Sequence, residues 1–437
     1  MKPINVGLLG LGTVGGGTLT VLRRNEVEIT RRAGRAIRVK VAAVRDLKKA
    51  QDLFAGEDIA IVTDPMQVVD NPDIDIVVEL IGGTDYAKTL VLKAIANGKH
   101  VVTANKALLA MHGTEIFSAA QAKGVMVAFE AAVAGGIPII KAVREGLTAN
   151  RIEWIAGIIN GTTNFILSEM RDKGLSFETV LAEAQRLGYA ESDPTFDIEG
   201  VDAAHKLTIL SAIAFGIPMQ FDKAYTEGIS KLTKEDIQYA EQLGYRIKLL
   251  GITKRTAKGI ELRVHPTLIP TRRLIANVEG VMNAVLVKGD AVGATLYYGR
   301  GAGAEPTASS VVADLVDVTR MLTADPENRV PHLAFQPDAL SSDPILPMSE
   351  VRTAYYLRMR AEDKPGVLAD ITRILADLDI SIDAMIQKEP DEGQEQVDII
   401  ILTHETVEKY INQAIAQIEN LPTIPGTITR LRLETLG

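Results

Sequence analysis

The feature that most constrains the fold of this chain is a glycine-rich turn between an apolar run and a helical stretch. Residues 4–9 (INVGLL) are almost wholly apolar, which is typical of a strand buried on both faces of a parallel sheet. Three glycines at 10, 12 and 15 follow, and a helical stretch then continues to about residue 24. In such a turn the first glycine permits the bend, the second lets the backbone approach a pyrophosphate, and the third allows close helix–strand packing. The pattern predicts a dinucleotide site, and the alternative is a turn that binds nothing. The residues predicted to contact the cofactor are Gly10, Leu11, Gly12, Thr13, Val14 and Gly15.

Strands and helices alternate through the first 130 residues. Apolar runs at 38–44, 74–81 and 100–103 predict further strands, and apolar residues at helical spacing between 87 and 97 predict a helix that ends before Gly98. Strands that alternate with helices across short loops are typical of a doubly wound parallel sheet. We therefore expect an α/β fold in which residues 1–130 form a Rossmann-like NAD(P)-binding domain.

The chain is too long for one hydrophobic core. At about 150 residues per domain, 437 residues predict about three domains. Residues 131–307 show a less regular α+β pattern, with strand-like alternation at 261–264 and 284–288, and we expect a second domain there. A helix predicted at 308–321 is expected to pack back on the first domain, so that residues 308–325 complete it. Several prolines then predict a linker over 326–350.

The pattern after this linker is distinct. A strand near 355–359 is followed by a helix at 367–375, strands at 380–384 and 397–402, a helix at 407–418 and a strand at 428–433. The order β-α-β-β-α-β predicts a small ferredoxin-like domain over 351–437. Because its residues do not look catalytic, we expect this domain to bind a ligand or to regulate.

Charge and cysteine content exclude several classes of function. Lys and Arg number 47 against 56 Asp and Glu, a net charge of −9, so the chain has no global attraction for nucleic acid or an anionic membrane. No apolar stretch reaches the roughly 18 residues of a membrane span, and no signal peptide is recognisable, so we expect a cytoplasmic protein. The chain has no cysteine, which excludes disulfides, zinc–thiolate sites, iron–sulfur clusters and thiol nucleophiles.

The residues after the second predicted strand bear on the identity of the cofactor. An NAD-binding protein normally places an acidic side chain there, on the ribose 2′-hydroxyl. Here Arg45 comes first and Asp46 second, with Lys48 and Lys49 close behind. The cationic side chain of Arg45 favours NADP, because it can bind the 2′-phosphate. Asp46 is compatible with NAD, and the third interpretation is a solvated charged loop that binds neither cofactor.

Two lysines are candidates for the proton transfer that accompanies hydride transfer between an alcohol and a carbonyl. Lys106 follows a strand end, where open α/β sheets bind their ligands. Lys206 lies four residues after Asp202, so the two share one helix face. From spacing alone, a surface ion pair is the simpler interpretation of that second arrangement. The six histidines show no metal-binding spacing and are interpreted as structural.

Two loops are candidates for ligand binding. Residues 188–200 concentrate carboxylates, including Glu191 and Asp197, and such a loop either binds a substrate ammonium or is merely solvated. Residues 301–307 form a second glycine-rich turn around Gly303. That turn either brings backbone amides to a ligand or only reverses the chain.

Taken together, these strings resemble homoserine dehydrogenase, in the bacterial form that carries a C-terminal ACT domain. The matching strings span nearly the whole chain in the family's order. They are GLGTVG at 10–15, TANKALLA at 103–110, EAAVAGGIP at 130–138, NGTTNFIL at 160–167, GYAESDP at 188–194, DAAHKLTIL at 202–210, GRGAGAEPT at 299–307 and DKPGVLADI at 363–371.

The resemblance implies an NAD(P)-dependent interconversion of L-homoserine and L-aspartate 4-semialdehyde, a step of threonine, methionine and isoleucine biosynthesis. It implies that Lys206 donates the proton to the aldehyde oxygen and that Lys106 assists near the nicotinamide. It also implies that Glu191 and Asp202 hold homoserine and that Asp197 lines the same pocket. It implies that residues 131–307 form the catalytic and dimerisation domain. The missing cysteine agrees with this reaction, because making the semialdehyde from an acyl phosphate proceeds through a covalent thiol intermediate.

The resemblance further implies contacts with the cofactor and with an alkali cation. Gly188 and Gly303 match backbone positions that touch the cofactor. The positions around a sodium or potassium ion, bound mostly through main-chain oxygens, are matched by Glu130, Val133, Gly135 and Ile137. The side chains at these four positions would not have indicated a cation by themselves.

The C-terminal domain resembles ACT domains, whose first strand–helix loop binds amino acids. Here that loop is residues 363–366 (DKPG), and the resemblance implies feedback control by threonine. The alternative is a purely dimerising module, and we expect a homodimer or homotetramer. Two rival functions stay open from sequence: a dinucleotide-sensing regulator without catalysis, and a dehydrogenase for another small amino or hydroxy acid.

Overall fold

The computed structural model describes residues 2–54, 58–322, 331–335, 338, 340–387 and 396–436. The chain divides into two compact units. The first consists of Met1–Gly161, Asp202–Ala224 and Val281–Asp343. The second consists of Thr162–Val201, Tyr225–Gly280 and Pro344–Gly437.

A parallel sheet forms the N-terminal part of the first unit. Over the described residues, its strands stand in the order β3-β2-β1-β4-β5-β6, and neighbouring strands are parallel. The order reverses between β1 and β4, which is the doubly wound arrangement, so the Rossmann-like fold predicted from the sequence is confirmed. The strands are β1 (Ile4–Leu9), β2 (Ile37–Ala43), β3 (Ala60–Val62), β4 (Ile76–Glu79), β5 (His100–Thr103) and β6 (Val127–Ala128).

Helices cover this sheet and account for its apolar strands. All four residues of β4 are buried, as expected where helices cover both faces of a parallel sheet. The helices that connect the strands are α1 (Thr13–Arg24), α2 (Glu26–Ala33), α3 (Leu47–Leu53), α4 (Met66–Val69), α5 (Asp85–Ala96) and α6 (Lys106–Lys123).

The middle of the chain contributes elements to both units. Its helices are α7 (Ile139–Lys141), α8 (Gly161–Lys173), α9 (Phe177–Arg186), α10 (Thr195–Ile198), α11 (Val201–Phe215), α12 (Lys234–Gln242) and α13 (Ala304–Met321). Its strands are β7 (Ile152–Ile158), β8 (Tyr225–Thr226), β9 (Tyr245–Thr256), β10 (Gly259–Pro270), β11 (Met282–Gly289) and β12 (Gly293–Arg300). In the first unit, β11 pairs antiparallel with both β7 and β12. Helix α13 contributes Ala308, Val311 and Leu315 to the hydrophobic core that also contains apolar residues of β1 and β2.

The C-terminal elements have the predicted β-α-β-β-α-β order. They are β13 (Arg352–Glu362), α14 (Val367–Asp377), β14 (Ile382–Gln387), β15 (Gln396–Thr403), β16 (Thr406–Val407), α15 (Glu408–Glu419) and β17 (Thr429–Leu433), with β16 as a short addition beside β13. The strands stand in the order β17-β13-β15-β14, with antiparallel neighbours. Apolar residues of both helices, such as Ile371 and Ile411, pack on one face of this sheet. The predicted ferredoxin-like fold is confirmed.

Strand β17 also extends the sheet of the second unit. It pairs in parallel with β10, which pairs antiparallel with β9 along its whole length. Arg432 of β17 is fully buried and donates to Glu227 at 2.7 Å, to the hydroxyl of Tyr225 at 3.0 Å and to Glu408 at 3.0 Å. A buried guanidinium costs free energy unless its donors are satisfied, so these partners allow it to be buried there.

The predicted linker is partly described. Residues 323–330, 336, 337 and 339 lie outside the described residues, and they include parts of the predicted stretches 308–325 and 326–350. Farther along, Ile260 of β10 exchanges backbone hydrogen bonds with Pro344 and Leu346, and Leu346 is buried. The end of the predicted linker is therefore packed against β10. Among the described helices, none combines the length and the apolar character that crossing a bilayer requires.

Candidate active site

The glycine turn after β1 has a geometry that suits each of its glycines. Gly10 has φ +95°, in the left-handed region that favours glycine. A β-carbon at Gly12 would meet no described atom within 4 Å, so the space in front of α1 is open there. A β-carbon at Gly15 would lie 2.3 Å from the carbonyl oxygen of Gly10. The turn thus combines a tight bend, an open approach to the N-terminus of α1 and close packing, as a dinucleotide-binding turn needs.

A cavity of about 410 Å³ opens at this turn. Gly10, Leu11 and Gly12 line one side, and Arg45 and Asp46, both exposed, line another. Thr13 and Val14 form the first turn of α1. Because Arg45 and Asp46 face the same cavity, a 2′-phosphate and a 2′-hydroxyl would each find a partner of suitable charge.

The two candidate lysines meet at one carboxylate in the first unit. The Nζ atom of Lys206 lies 2.6 Å from Oδ2 of Asp202, and the Nζ atom of Lys106 lies 3.1 Å from Oδ1. Lys206 also donates to the carbonyl oxygen of Ile159 at 2.7 Å, and Asn160 donates to Asp202 at 2.9 Å. The side chains of Asp202 and Lys206 are 5% and 12% exposed. This pair is therefore buried and is not a surface ion pair.

Three parts of the chain bring these groups together. Asp202 and Lys206 share one face of α11 because residues four apart on a helix are neighbours. Lys106 is the first residue of α6, and the side chain of Asn105 caps that helix by accepting a hydrogen bond from the amide of Leu108. Ile159 and Asn160 follow β7. The site is thus built on two helix starts and a strand end.

The charges around Asp202 determine its ionisation. Burial by itself would raise the pKa of the Asp202 carboxyl, but the ammoniums of Lys206 and Lys106 outweigh it, and the pKa lies below its usual range. The neighbouring His205 is buried, and its ring lies tilted against that of Phe221 with ring centroids 4.2 Å apart. Desolvation and the two ammoniums lower the pKa of His205 to about 4, against a weaker opposing effect of Asp202. At neutral pH Asp202 is therefore ionised and His205 is uncharged.

The carboxylate loop belongs to the second unit. Asp197 is half-buried, and its Oδ2 accepts a hydrogen bond from the hydroxyl of Thr162 at 3.3 Å. The same hydroxyl donates to the carbonyl oxygen of Tyr189 at 2.7 Å. Glu191 is exposed, and its main-chain oxygen accepts from Gln185. Thr162 thus ties the two ends of the loop together and orients Asp197.

Gly188 and Gly303 both occupy backbone conformations that favour glycine. Gly188 has φ +76° where the chain leaves α9 in the second unit, and Gly303 has φ +119° at the start of α13 in the first. A β-carbon at Gly17 of α1 would lie 2.5 Å from the carbonyl oxygen of Ala304. The second glycine-rich turn therefore lies against the helix that begins at the dinucleotide turn.

The four positions matched to an alkali cation lie in a buried turn of the first unit. Ala134 and Gly135 have φ +54° and +49°, and the carbonyl oxygen of Gly135 accepts a hydrogen bond from Ser310 at 2.6 Å. The carboxylate of Glu130 accepts from the amides of Ile140 and Lys141. Main-chain oxygens are the donors that hard cations prefer, so the residues present fit such an ion in donor type.

Sequence reasoning assigned no role to two residues at the site. Asn160 lies in the string NGTTNFIL, but the spacing of that string gives no hint that its side chain reaches Asp202. Glu79 is fully buried at the end of β4. A charged residue closing an apolar strand was a usable signal, because a fully buried carboxylate is rare unless it is paired.

Three family models match the chain. The model described as homoserine dehydrogenase, NAD binding domain, matches residues 10–130, and the model described as homoserine dehydrogenase matches residues 138–316. The ACT domain model matches residues 355–423. Together these models cover most of the chain.

Relatives and solved structures extend this similarity over the full length. A homoserine dehydrogenase of Pseudomonas aeruginosa is 66% identical over 437 residues, 100% of both chains, and one of Bacillus subtilis is 38% identical over the same shares. A crystal structure of a homoserine dehydrogenase from Thiobacillus denitrificans superposes with a TM-score of 0.96 at 76% identity, covering 100% of this chain and 99% of that one. A hyperthermophilic archaeal homoserine dehydrogenase in complex with NADPH reaches a TM-score of 0.62 at 26% identity, covering 73% and 98%.

Proposed function

This chain belongs to the homoserine dehydrogenase family, and from that premise we propose that Lys206 exchanges a proton with the substrate oxygen. The protein is an oxidoreductase that acts on a CH–OH group, and it carries an NAD-binding domain and an ACT domain. Its reaction interconverts L-homoserine and L-aspartate 4-semialdehyde, a step of amino-acid biosynthesis. We place that step on the routes to threonine, methionine and isoleucine.

The observation that carries this proposal is the pairing of Lys206. An ammonium has three N–H bonds, and Asp202 and the carbonyl oxygen of Ile159 account for two of them. The third can donate to a substrate oxygen. During reduction the Lys206 ammonium gives its proton to the aldehyde oxygen and becomes a neutral amine. During oxidation the neutral amine of Lys206 takes the proton of the hydroxyl. When bound, the nicotinamide cofactor supplies or accepts the hydride.

The neighbouring charges keep Lys206 in place. Asp202 stays ionised because two ammoniums face it, and it orients Lys206 by a hydrogen bond of 2.6 Å. Lys106 pairs with the other carboxylate oxygen of Asp202 and so helps to neutralise its charge. We propose that Lys106 also assists the reaction near the nicotinamide. We propose that Asp202, Glu191 and Asp197 bind the substrate, whose ammonium requires anionic partners.

We propose NADP as the preferred cofactor, with NAD as a weaker substitute. The cation Arg45 lines the cavity beside Gly10 and Gly12, at the point where the cofactor's 2′-phosphate is expected. The archaeal relative in complex with NADPH supports this choice. Gly188 and Gly303 are expected to contact the cofactor through their backbones.

We also propose an alkali cation, sodium or potassium, at the turn formed by Glu130, Val133, Gly135 and Ile137. The main-chain oxygens of this turn would hold the cation, and the cation would supply positive charge there. Two residues of the turn, Ala134 and Gly135, have positive φ. Activity in sodium or potassium chloride should exceed activity in tetramethylammonium chloride, whose cation is too large for a cage of carbonyl oxygens. Equal rates in all three salts would contradict this proposal.

The proposed role of Lys206 is tested with L-homoserine and NADP, following the absorbance of the reduced cofactor. Lys206→Ala should abolish turnover and leave the affinity for NADPH nearly unchanged. Lys173→Ala is the matched control, because Lys173 also pairs with a carboxylate four residues earlier but is 55% exposed. An active Lys206→Ala enzyme would refute the proton-transfer role.

We propose that the ACT domain mediates feedback inhibition by threonine. The loop formed by residues 363–366 lies between β13 and α14, and Gly366 has φ +100° at the start of that helix. Threonine should lower the rate of homoserine oxidation and raise the melting temperature, since a ligand that binds the folded state stabilises it. If threonine changed neither quantity, the regulatory proposal would fail.

We also make proposals about the oligomeric state and the functional domain boundaries. We propose a homodimer or homotetramer, which sedimentation of the purified protein would distinguish from a monomer. We propose functional boundaries at 1–130 with 308–325, 131–307, 326–350 and 351–437. The cytoplasmic location predicted from the sequence stays a prediction.

A further inference from the structure

A buried carboxyl lies between the strands that lead to the two halves of the site. In the register of the parallel sheet, Glu79 of β4 stands beside Leu9 of β1 and Thr103 of β5. Leu9 precedes the dinucleotide turn, and Thr103 lies three residues before Lys106. Burying a carboxyl lowers the stability of the folded protein unless the carboxyl is hydrogen-bonded. The hydrogen-bond partners of Glu79 therefore show which parts of the chain it connects.

Both oxygens of Glu79 are hydrogen-bonded. Oε1 accepts from the amides of Ile81 at 3.0 Å and Gly82 at 3.1 Å, and Oε2 accepts from the hydroxyl of Thr103 at 2.7 Å. Burial raises the pKa of the Glu79 carboxyl, and these hydrogen bonds oppose that effect. One carboxyl thus joins the loop after β4, which borders the cofactor cavity through Leu80 and Ile81, to the end of β5.

A second set of hydrogen bonds continues from Thr103 to α6. The amide of Asn105 donates to the hydroxyl of Thr103 at 3.0 Å, so that hydroxyl accepts from Asn105 and donates to Glu79. The side chain of Asn105 donates to the carbonyl oxygen of Gly83 at 2.7 Å and accepts from the amide of Leu108 at 3.1 Å. These bonds hold the residue immediately before Lys106 at both its backbone and its side chain.

We propose that Glu79 is a positioning residue for the reaction, acting through Thr103 and Asn105 on the start of α6. It fixes the direction from which Lys106 reaches Asp202, and it ties that direction to the loop beside the cofactor cavity. This inference rests on the proposed role of Lys106. Glu79 itself bonds to the loop and to Thr103, so it acts on Lys106 only through its neighbours.

Two substitutions of Thr103 in the full-length enzyme separate positioning from simple packing. Thr103→Val keeps the shape of the side chain but removes the hydroxyl that links Glu79 to Asn105. Thr103→Ser keeps the hydroxyl and removes a buried methyl group, so it also lowers stability. Thr103→Val removes both the hydrogen bond to the Glu79 carboxyl and the one accepted from Asn105, and we expect it to lower kcat by about 10- to 100-fold. Thr103→Ser should retain most of the wild-type kcat. This difference in kcat between the two variants should persist even if their melting temperatures are similar. If both variants lowered kcat in proportion to their loss of stability, the positioning role would be overturned.

A double-mutant cycle with Lys106→Met tests whether the effect passes through Lys106. If it does, adding Thr103→Val to Lys106→Met should lower kcat by less than about threefold, because the group being positioned is already absent. A full additional 10- to 100-fold loss would overturn the inference. If the Lys106→Met enzyme is too slow to assay, the difference in kcat between Thr103→Val and Thr103→Ser decides whether the inference holds. A Lys106→Met enzyme with wild-type kcat would instead refute the role of Lys106, which is a separate outcome from an active Thr103→Val enzyme.

Discussion

Replacing Asp202 by Asn is the change that most directly tests how the site is held together. The substitution keeps the size and shape of the side chain and removes its charge. Lys206 and Lys106 would then face one another without the anion between them. We expect Lys206 to lose its fixed position, because a buried ammonium without its counter-ion is strongly destabilised.

The size of the effect follows from the exposure of the two lysines. Lys206 is 12% exposed and lies 2.6 Å from Asp202, so this pair belongs to the buried class, in which removing one partner costs about 3–5 kcal/mol. Lys106 is 33% exposed and lies 3.1 Å away, which brings its pair closer to the exposed class of up to about 1 kcal/mol. Asn still offers an oxygen to Lys206, so the lower end applies. Because the substitution acts on the position of Lys206, which the proposed reaction uses, we expect a similar loss in transition-state stabilisation. About 3 kcal/mol there corresponds to a fall in kcat of about 100-fold.

The assay compares kcat for homoserine oxidation with the dissociation constant for NADPH, measured from the fluorescence of the bound cofactor. Asp202→Asn should lower kcat and leave cofactor binding close to that of the wild type. Glu169→Gln is the matched control, because Glu169 pairs with Lys173 at the same helical spacing near the surface. A kcat for Asp202→Asn within about threefold of the wild type would show that the buried-pair reasoning does not apply to this site.

Three further predictions follow from the same geometry. Arg45→Ala should raise KM for NADP by about 10- to 100-fold, the loss of a charge-assisted contact, and leave KM for NAD unchanged; equal changes for both cofactors would rule out a contact with the 2′-phosphate. The lowered pKa of His205, about 4 against 6.5, means that the unfolded chain takes up a proton first as the pH falls, so stability is lost between pH 6.5 and 4 by up to about 3 kcal/mol. Urea unfolding at pH 7 and pH 5 should therefore show a smaller decrease for His205→Leu than for the wild type, and parallel decreases would contradict the assignment. Gly12→Ala should weaken NADPH binding by about tenfold or more because its β-carbon would enter the open space at the turn, whereas Gly16→Ala, also in open space but inside α1, should leave binding unchanged and add up to about 1 kcal/mol of stability.

Much of the fold could be predicted because its strands carry strong local signals. The predicted strands at 4–9 and 100–103 coincide with β1 and β5, and the strand–helix order of the C-terminal domain is reproduced. The short strands β3 and β6 gave no prediction: β3 is three residues long and only half-buried, and β6 has two residues. Such pairings depend on the neighbouring strand more than on the residues themselves.

The sequence predicted which residues belong to the site, but it did not predict most of the contacts between them. The spacing of Asp202 and Lys206 placed them on one helix face, but spacing alone favoured an exposed ion pair, because burial is decided by residues distant in sequence. Lys106 was selected from its place after a strand, and its contact with Asp202 depends on the packing of α6 near α11. The contact between Asn160 and Asp202 lies beyond sequence reasoning for the same reason. Glu79 could have been selected as a charged residue that closes an apolar strand, but its hydrogen bond to Thr103 could not have been predicted.

The pairing of β10 with β17 has a consequence for how the protein is made. Synthesis proceeds from the N-terminus, so β10 emerges from the ribosome with residues 271–428 still to be made before its neighbour exists. Until then the edge of β10 at Thr267 and Leu268 is unpaired, and Glu227 lacks the guanidinium of Arg432. Unpaired edges recruit other chains, and a carboxylate without its partner resists burial. A shortened chain without residues 429–433 should therefore accumulate in inclusion bodies. Relief from the proposed feedback inhibition would then have to be sought by point substitutions in the ACT domain rather than by removing it.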